Sequence, residues 1–141
     1  MSQAQFLVDT SALIRLLRQA DVQADWAQQI TAGLVATCAI TELELLYTAR
    51  SKADREEQSA LIREIFGWVV MPDRVFERAL DVQSAMTDRG SHRSASPADL
   101  LLAATAEAHG LVVLHYDTDF VQVAEVTGQP IRWLAEPGTI D

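Results

Sequence analysis

A chain of 141 residues with 49% hydrophobic and 22% charged residues has the size and composition of one globular domain, which excludes two independent cores and a long disordered segment. Its formal net charge of −9 makes the overall field unfavourable for a polyanion, so any contact with nucleic acid must be local. No apolar run approaches the ~18 residues of a membrane span, the start of the chain lacks the features of a signal peptide, and the single cysteine, Cys38, cannot form an internal disulfide, which together predict a soluble, cytoplasmic protein.

Helices and strands alternate along the first part of the chain. Thr10 and Ser11 are helix-start residues directly after an apolar run that ends at Asp9. The predicted elements of this part are a strand over 5–9, a helix from Thr10, a helix over 22–30, a buried strand over 34–40, a helix from about Thr41, a helix over 54–66, a brief strand over 68–70 and an amphipathic helix over 74–89.

The same alternation continues to the end of the chain. Pro97 and Gly110 bound a helix, because proline favours the first helical position and glycine the position after the last. The predicted elements are a loop over 89–95, a helix over 97–109, a strand over 111–116, a helix over 118–127 and a short strand over 131–134. We therefore expect a single α/β domain over 1–141, with a mostly parallel sheet of about 4–5 strands and helices on both faces.

Four short acidic motifs lie at the junctions between these elements. They are Val8-Asp9-Thr-Ser, Ile40-Thr-Glu-Leu-Glu44-Leu-Leu-Tyr, Ser96-Pro-Ala-Asp99-Leu-Leu-Leu-Ala and Asp117-Thr-Asp119-Phe. Because a parallel sheet gathers the carboxyl ends of its strands at one edge, these acids are expected to converge. Converging carboxylates repel one another unless a positive group holds them, and a hard divalent cation with oxygen ligands meets that need.

Each acid also has a purely structural explanation. Asp9 could cap the helix that follows it, although Thr10 and Ser11 could cap in its place. Ser96 and Asp99 have the spacing of a capping box, yet the helix after them is apolar on all sides, so its early charge is enclosed.

The second and fourth motifs each contain two acids. A helical wheel places Ile40, Leu43, Leu46 and Tyr47 on one side, with Glu44 at the border of that side and Glu42 outside it. Glu44 is therefore the better ligand and Glu42 is expected to be a solvated charge, while Leu45 faces a second subunit or another element. Asp117 could be only a helix cap, with Asp119 favouring the positive end of the helix.

Taken in order and spacing, the four motifs resemble those of the PIN-domain nucleases, and within them the VapC-type toxins of bacterial toxin–antitoxin pairs. The resemblance covers nearly the whole chain and implies a PIN-like fold and a metal-dependent endoribonuclease. It implies that Asp9 and Asp99 hold Mg²⁺ or Mn²⁺, that Glu44 and Asp117 complete the site, and that Asp119 is a ligand or a support. It also implies a homodimer and a cognate VapB-like antitoxin that blocks the site.

The expected reaction is hydrolysis of an RNA phosphodiester bond by a metal-activated water. Positively charged candidates for contact with the RNA are Arg15, Arg18, Arg89, His92 and Arg93, which could equally be solvated or salt-bridged. Two rival functions use Asp9 differently, as the nucleophile of an aspartyl-phosphate phosphatase or as the acceptor of a receiver-like signalling module. Both usually need a late lysine, and no lysine follows Lys52. A catalytically silent binding protein is the third alternative.

Overall fold

The computed structural model describes residues 3–141, so the first two residues of the predicted domain over 1–141 lie outside the described chain. Its strands are β1 (Phe6–Val8), β2 (Val35–Thr37), β3 (Gly67–Trp68), β4 (Val112–His115) and β5 (Ile131–Trp133). Its helices are α1 (Thr10–Arg18), α2 (Ala20–Thr31), α3 (Ala39–Tyr47), α4 (Lys52–Ile65), α5 (Val75–Asp88), α6 (Pro97–His109) and α7 (Asp119–Thr127).

The five strands form one sheet in the order β3-β2-β1-β4-β5, and every pairing between them is parallel. The predicted α/β class and the predicted sheet are therefore confirmed. The central strand β1 pairs with β2 on one side and with β4 on the other, where Val8 lies opposite Leu114. This register places the residue after β1 beside the last residues of β4.

Helices cover both faces of the sheet because successive side chains of a strand point to opposite faces. Leu7, Ala36 and Val113 belong to one buried cluster, which also contains residues of α5, α6 and α7. Phe6 and Val8 belong to a second cluster, which contains residues of α1, α2 and α4. Near-continuous apolar strands are typical of a parallel sheet that is buried on both faces.

Strand β2 is shorter than the sequence predicted. The apolar run over 34–40 was interpreted as one strand, whereas β2 ends at Thr37 and α3 already begins at Ala39. The strand is buried, and the first two helical residues, Ala39 and Ile40, are also apolar and are half-buried, so hydrophobicity alone does not mark the boundary between them.

The helical-wheel prediction for α3 is confirmed for Leu46, which is buried, and is wrong for Leu43 and Tyr47. Leu43 is 61% exposed and Tyr47 is 91% exposed, whereas Leu45 is buried in the core of its own chain. Helix α3 contacts α1, α4 and α6, and these neighbours decide which side is buried. The partner of Leu45 is therefore another element of the same chain.

Two further sequence-based expectations concern single features. Cys38 is fully buried, as its place in an apolar run predicted. Within residues 3–141, no helix is both long enough and apolar enough to cross a membrane.

The indole of Trp26 on α2 contacts the segment directly after the edge strand β5. Its Nε1–H donates to the carbonyl oxygen of Leu134 at 2.8 Å, and its ring meets Phe6 edge-on with 5.4 Å between ring centroids. Trp26→Phe should lower the free energy of unfolding by about 1–3 kcal/mol, because it leaves a buried carbonyl unpaired and a space unfilled. Urea unfolding followed by circular dichroism measures this change.

Trp68→Phe is the matched control, since Trp68 lies on the edge strand β3 and is partly exposed. It should change the free energy of unfolding by less than about 1 kcal/mol. Equal losses in the two variants would contradict the anchoring role of Trp26.

Candidate active site

The acidic motifs meet at the carboxyl ends of β1 and β4. The chain continues from β1 to β2 and β3 on one side of the sheet and places β4 and β5 on the other, so β1 and β4 flank the point where strand order reverses. Ligands of open parallel sheets bind outside this point. The Asp9 N–H donates to the Leu114 carbonyl at 3.0 Å, and the Tyr116 N–H donates to Ser11 Oγ at 3.0 Å. These two bonds join the start of α1 to the end of β4.

Asp9 is the N-cap of α1 and is only 5% exposed. Its Oδ1 accepts from the Ala12 N–H at 2.9 Å, and the Ser11 hydroxyl lies 2.8 and 2.7 Å from its two oxygens. Burial raises the pKa of Asp9 to about 7 and the charge of Asp99 adds to the rise, while the bonds from Ser11 and Ala12 oppose it. The idea that Thr10 or Ser11 caps the helix in its place is wrong, because Asp9 both caps and faces the acidic cluster.

Asp99 combines the two roles that the sequence left open. It forms a reciprocal capping box with Ser96, with N–H to oxygen distances of 3.1 and 3.2 Å. Burial raises the pKa of Asp99 to about 6, and the charges of Asp117 and Glu44 raise it further against the opposing bonds from Ser96. Asp99 therefore lies within the electrostatic reach of the acids from the first, second and fourth motifs.

The remaining acids border this centre. Asp117 Oδ1 accepts from the N–H of Asp119, the first residue of α7, at 2.9 Å, in the turn that leads into this helix. Burial raises the pKa of Asp119, and the neighbouring charge of Asp117 adds to the rise. Glu44 is exposed, and its Oε1 accepts from the Thr10 hydroxyl at 2.7 Å.

The cluster carries negative charge that no basic side chain neutralises. Among residues 3–141, none of its acids forms an ion pair with lysine, arginine or histidine. Asp99 and Glu44 each keep one carboxylate oxygen without a hydrogen bond from another described residue. Hard divalent cations prefer such oxygens, so the donor set fits Mg²⁺ or Mn²⁺ in kind.

The side chains are not arranged as a finished coordination shell. Over residues 3–141, no group of three or more histidine, cysteine, aspartate or glutamate side chains is placed so that it could hold a metal ion. Asp9, Asp99 and Asp117 are instead turned onto backbone N–H groups at the starts of three helices. Coordination by these acids would require side-chain rotation away from the caps.

Glu42 is buried rather than solvated, so its expected role is wrong. It is 6% exposed, and its Oε1 accepts from Ser59 Oγ at 3.2 Å and from Arg63 Nη2 at 3.4 Å. Helix α4 packs on α3 and covers this side of it. Glu42 and Glu44 thus lie in different surroundings, and only Glu44 borders the cluster.

The five candidates for RNA contact are not equally available. Arg15 donates to the carbonyl oxygens of Asp141 and Ser11 and lies over the Tyr116 ring. Arg89 lies 4.0 Å from Glu125. The others are exposed, and within the described chain they form no side-chain hydrogen bond or ion pair: Arg18, His92 and Arg93.

His115 is a site neighbour to which sequence reasoning assigned no function. It is the last residue of β4 and is completely buried, and its Nδ1 accepts the Asp117 N–H at 3.2 Å. Burial lowers the pKa of His115 to about 4, so the ring is neutral at physiological pH. In the sequence, the position of His115 two residues before Asp117, at the end of a predicted strand, could have indicated this contact.

Comparison with known proteins agrees with this architecture. The PIN domain family matches residues 6–126. Ribonuclease VapC21 of Mycobacterium tuberculosis is 42% identical over 135 residues, which cover 96% of this chain and 97% of that protein. The chain therefore belongs to the PIN-domain family, in its VapC ribonuclease branch.

Solved structures show the same fold at lower identity. DNA-bound VapBC from Salmonella typhimurium matches with a TM-score of 0.73 and 18% identity, covering 94% of this chain and 99% of that one. VapBC-5 of Mycobacterium tuberculosis, a member of the VapBC family of toxin–antitoxin systems, matches with a TM-score of 0.58 and 20% identity, covering 92% and 97%. The predicted PIN-like fold is confirmed.

The raised pKa of Asp9 has a measurable consequence in metal-free buffer. Unfolded Asp9 ionises near its ordinary 3.8 and folded Asp9 near 7, so the free energy of unfolding falls as pH rises between these values. Asp9→Asn removes this fall and keeps an oxygen for the Ala12 N–H. The variant should gain stability relative to wild type across this window, by up to about 4 kcal/mol at pH 7. Urea unfolding with EDTA at several pH values measures the gain.

Asp54→Asn is the control, because the contribution of Asp54 to stability should have the opposite pH dependence. A backbone hydrogen bond from Arg50 lowers the pKa of Asp54, so its contribution is present at neutral pH and lost in acid. A gain for Asp9→Asn that does not change with pH would contradict the ionisation of a buried carboxyl.

Proposed function

We propose that Asp9, Asp99, Glu44 and Asp117 form the active site of a Mg²⁺- or Mn²⁺-dependent endoribonuclease. The PIN-domain VapC ribonucleases, to which the chain belongs, are metal-dependent. The observation that carries the assignment to these residues is the unneutralised acidic cluster around Asp99 at the reversal of strand order. Carboxyl groups with such raised pKa values in a cleft mark functional sites more often than ordinary surface acids do.

In this proposal Asp9 and Asp99 hold the cation, while Glu44 and Asp117 complete the site and Asp119 supports it or supplies a further ligand. When bound, the cation lowers the pKa of a water molecule and neutralises charge on the phosphate. The free oxygens of Asp99 and Glu44 are available to it, and Asp9 Oδ2, which accepts from Ser11 alone, keeps a second lone pair for it. Ser11 holds the Asp9 carboxylate, and the bond that Asp99 Oδ2 accepts from the Ser96 N–H is the contact that yields.

The RNA backbone must approach a cluster of acids on a negatively charged protein. Local positive charge therefore matters more here than net charge. Arg93 and His92 are exposed in the segment that leads to Asp99, so we assign the first phosphate contacts to them. Arg18 is an additional candidate, whereas Arg15 and Arg89 already have partners within the chain. A single-stranded or looped RNA is a better substrate than a duplex in this proposal, because its flexible backbone can approach the buried Asp9 more easily.

Charge neutralisation at matched positions tests the assignment. Asp9→Asn, Asp99→Asn and Glu44→Gln should each lower RNA cleavage by about 100-fold or more, because a bound cation contributes several kcal/mol to the transition state. Glu42→Gln is the control, an acid on the same helix that lies outside the cluster. It should keep cleavage per folded molecule while lowering stability, since its contact with Arg63 weakens.

The assay incubates purified protein with total RNA, with EDTA, Mg²⁺ or Mn²⁺, and maps the cut ends. Cleavage by Asp9→Asn at the wild-type rate, or an equal loss in Glu42→Gln, would overturn the assignment. Incubation with a small phosphodonor tests the rival functions, which require an acyl-phosphate on Asp9. We expect none, because both rival functions usually need a late lysine and no lysine follows Lys52.

We further propose that the partners are an RNA substrate, a VapB-like antitoxin that blocks the site, and a second copy of the chain. The solved VapBC assemblies with this fold support the antitoxin. Exposed apolar side chains support the homodimer: Phe76 and Leu80 stand one turn apart on α5 and border a groove with Pro97 and Leu101 next to Asp99.

Light scattering after gel filtration tests the homodimer. Leu80→Asp should convert a dimer into a monomer at micromolar concentration, because a charge on an apolar contact face must be desolvated. Leu61→Asp, on α4 and away from this groove, is the control and should remain dimeric. A wild-type monomer, or a dimeric Leu80→Asp protein, would contradict this choice of face.

A further inference from the structure

The ring of His115 is enclosed at the end of β4. It is 0% exposed, and its centroid lies 4.7 Å from that of Trp133 and 5.4 Å from that of Phe120. These rings belong to β5 and α7, so the imidazole is packed between the sheet and the helix that follows Asp117. A side chain held in this way presents its nitrogens in a fixed direction.

One ring nitrogen has a partner and the other has none. The Asp117 N–H donates to Nδ1 at 3.2 Å, so Nδ1 carries no proton and the ring proton lies on Nε2. Nε2 is buried and has no hydrogen-bond partner among residues 3–141. An unpaired buried N–H is destabilising, and an apolar side chain of similar size would avoid it. The histidine is therefore not explained by packing alone.

The accepted bond lies in the turn that carries the fourth acid. Three successive bonds hold this turn: Tyr116 N–H to Ser11 Oγ, Asp117 N–H to His115 Nδ1, and Asp119 N–H to Asp117 Oδ1. The first joins the turn to Asp9 through the Ser11 hydroxyl. The second fixes the peptide plane from which the Asp117 side chain departs.

We propose that His115 is a positioning residue that orients Asp117 toward Asp99 by accepting the Asp117 N–H at Nδ1. This inference rests on the proposed function, because it gives Asp117 a part in metal binding. Groups behind a metal ligand that orient it typically contribute about 10–100-fold to metal affinity or activity. His115 itself touches neither the metal nor the substrate.

Three substitutions separate the acceptor from the ring. His115→Asn places its Oδ1 at the same number of bonds from Cβ as Nδ1 and keeps the acceptor. His115→Gln is polar, but its amide lies one bond farther out, near the position of Nε2. His115→Leu has a similar size and no acceptor. If the acceptor matters, the Mn²⁺ affinity and kcat of His115→Asn should stay within about 3-fold of wild type. Both quantities should fall by about 10–100-fold in His115→Gln and His115→Leu.

Two readouts distinguish positioning from stability, and a third measurement tests the tautomer of the ring. Calorimetric titration with Mn²⁺ should show a weaker Kd in the Gln and Leu variants without any turnover. Cleavage of an RNA oligonucleotide should show a lower kcat and an unchanged KM, since the proposed phosphate contacts, His92 and Arg93, belong to another segment of the chain. Nitrogen NMR of the metal-free wild type should show His115 protonated at Nε2 only.

A double-mutant cycle and a core control complete the design. In an Asp117→Asn background, His115→Leu should cause no further loss of Mn²⁺ affinity, because the oriented carboxylate is already gone. Val123→Ala removes a buried contact on α7 outside the site and should lower Tm while leaving kcat per folded molecule unchanged. All assays are run below the lowest Tm of the set, so that folded protein is compared with folded protein.

The possible outcomes are distinct. Wild-type kcat and Mn²⁺ affinity in His115→Leu would overturn the positioning role and leave the proposed function intact. An equal loss in Asn, Gln and Leu would also overturn it, because the ring and not the acceptor would be responsible. A wild-type protein that neither binds Mn²⁺ nor cleaves RNA would overturn the proposed function and this inference with it.

Discussion

The parallel pairing of β1 with β4 is the constraint on which the site depends. Val8 lies opposite Leu114, and the Asp9 N–H continues this ladder onto the Leu114 carbonyl. The pairing brings residues more than a hundred positions apart to one edge of the sheet, with helices starting beside it. Asp9, after β1, and Asp117, after β4, share no sequence neighbours, so no local interaction could hold them together. The site is a consequence of strand register.

Helix capping explains how the chain tolerates its own acidic cluster. Asp9, Asp99 and Asp117 each accept a backbone N–H at the start of a helix, where the helix dipole favours negative charge. These bonds oppose the burial and repulsion that raise the pKa values of Asp9 and Asp99. Structural and functional explanations of these acids are therefore not alternatives. The same carboxylates accept N–H bonds at the helix starts and form the negatively charged centre. In the proposed function, bonds to a cation would replace some of these N–H bonds.

Sequence patterns predicted the elements well and the faces of the helices less well. The order of strands and helices followed from apolar runs bounded by caps, prolines and glycines, as at Pro97 and Gly110. The wheel for α3 failed because that helix is in contact with three others, so its buried side is chosen by neighbours rather than by composition. Glu42 illustrates the error, since α4 covers a side that the sequence indicated as solvated.

By itself the sequence determined the α/β class, the strand-and-helix order and the four acidic motifs, because apolar periodicity and cap chemistry are local properties. Tertiary structure alone decided that Glu42 is buried against Arg63, that Arg15 has partners in its own chain, and that His115 supports the turn of Asp117. Each of these depends on contacts between elements distant in the chain, or on how a side chain packs among them, and no sequence pattern specifies such contacts.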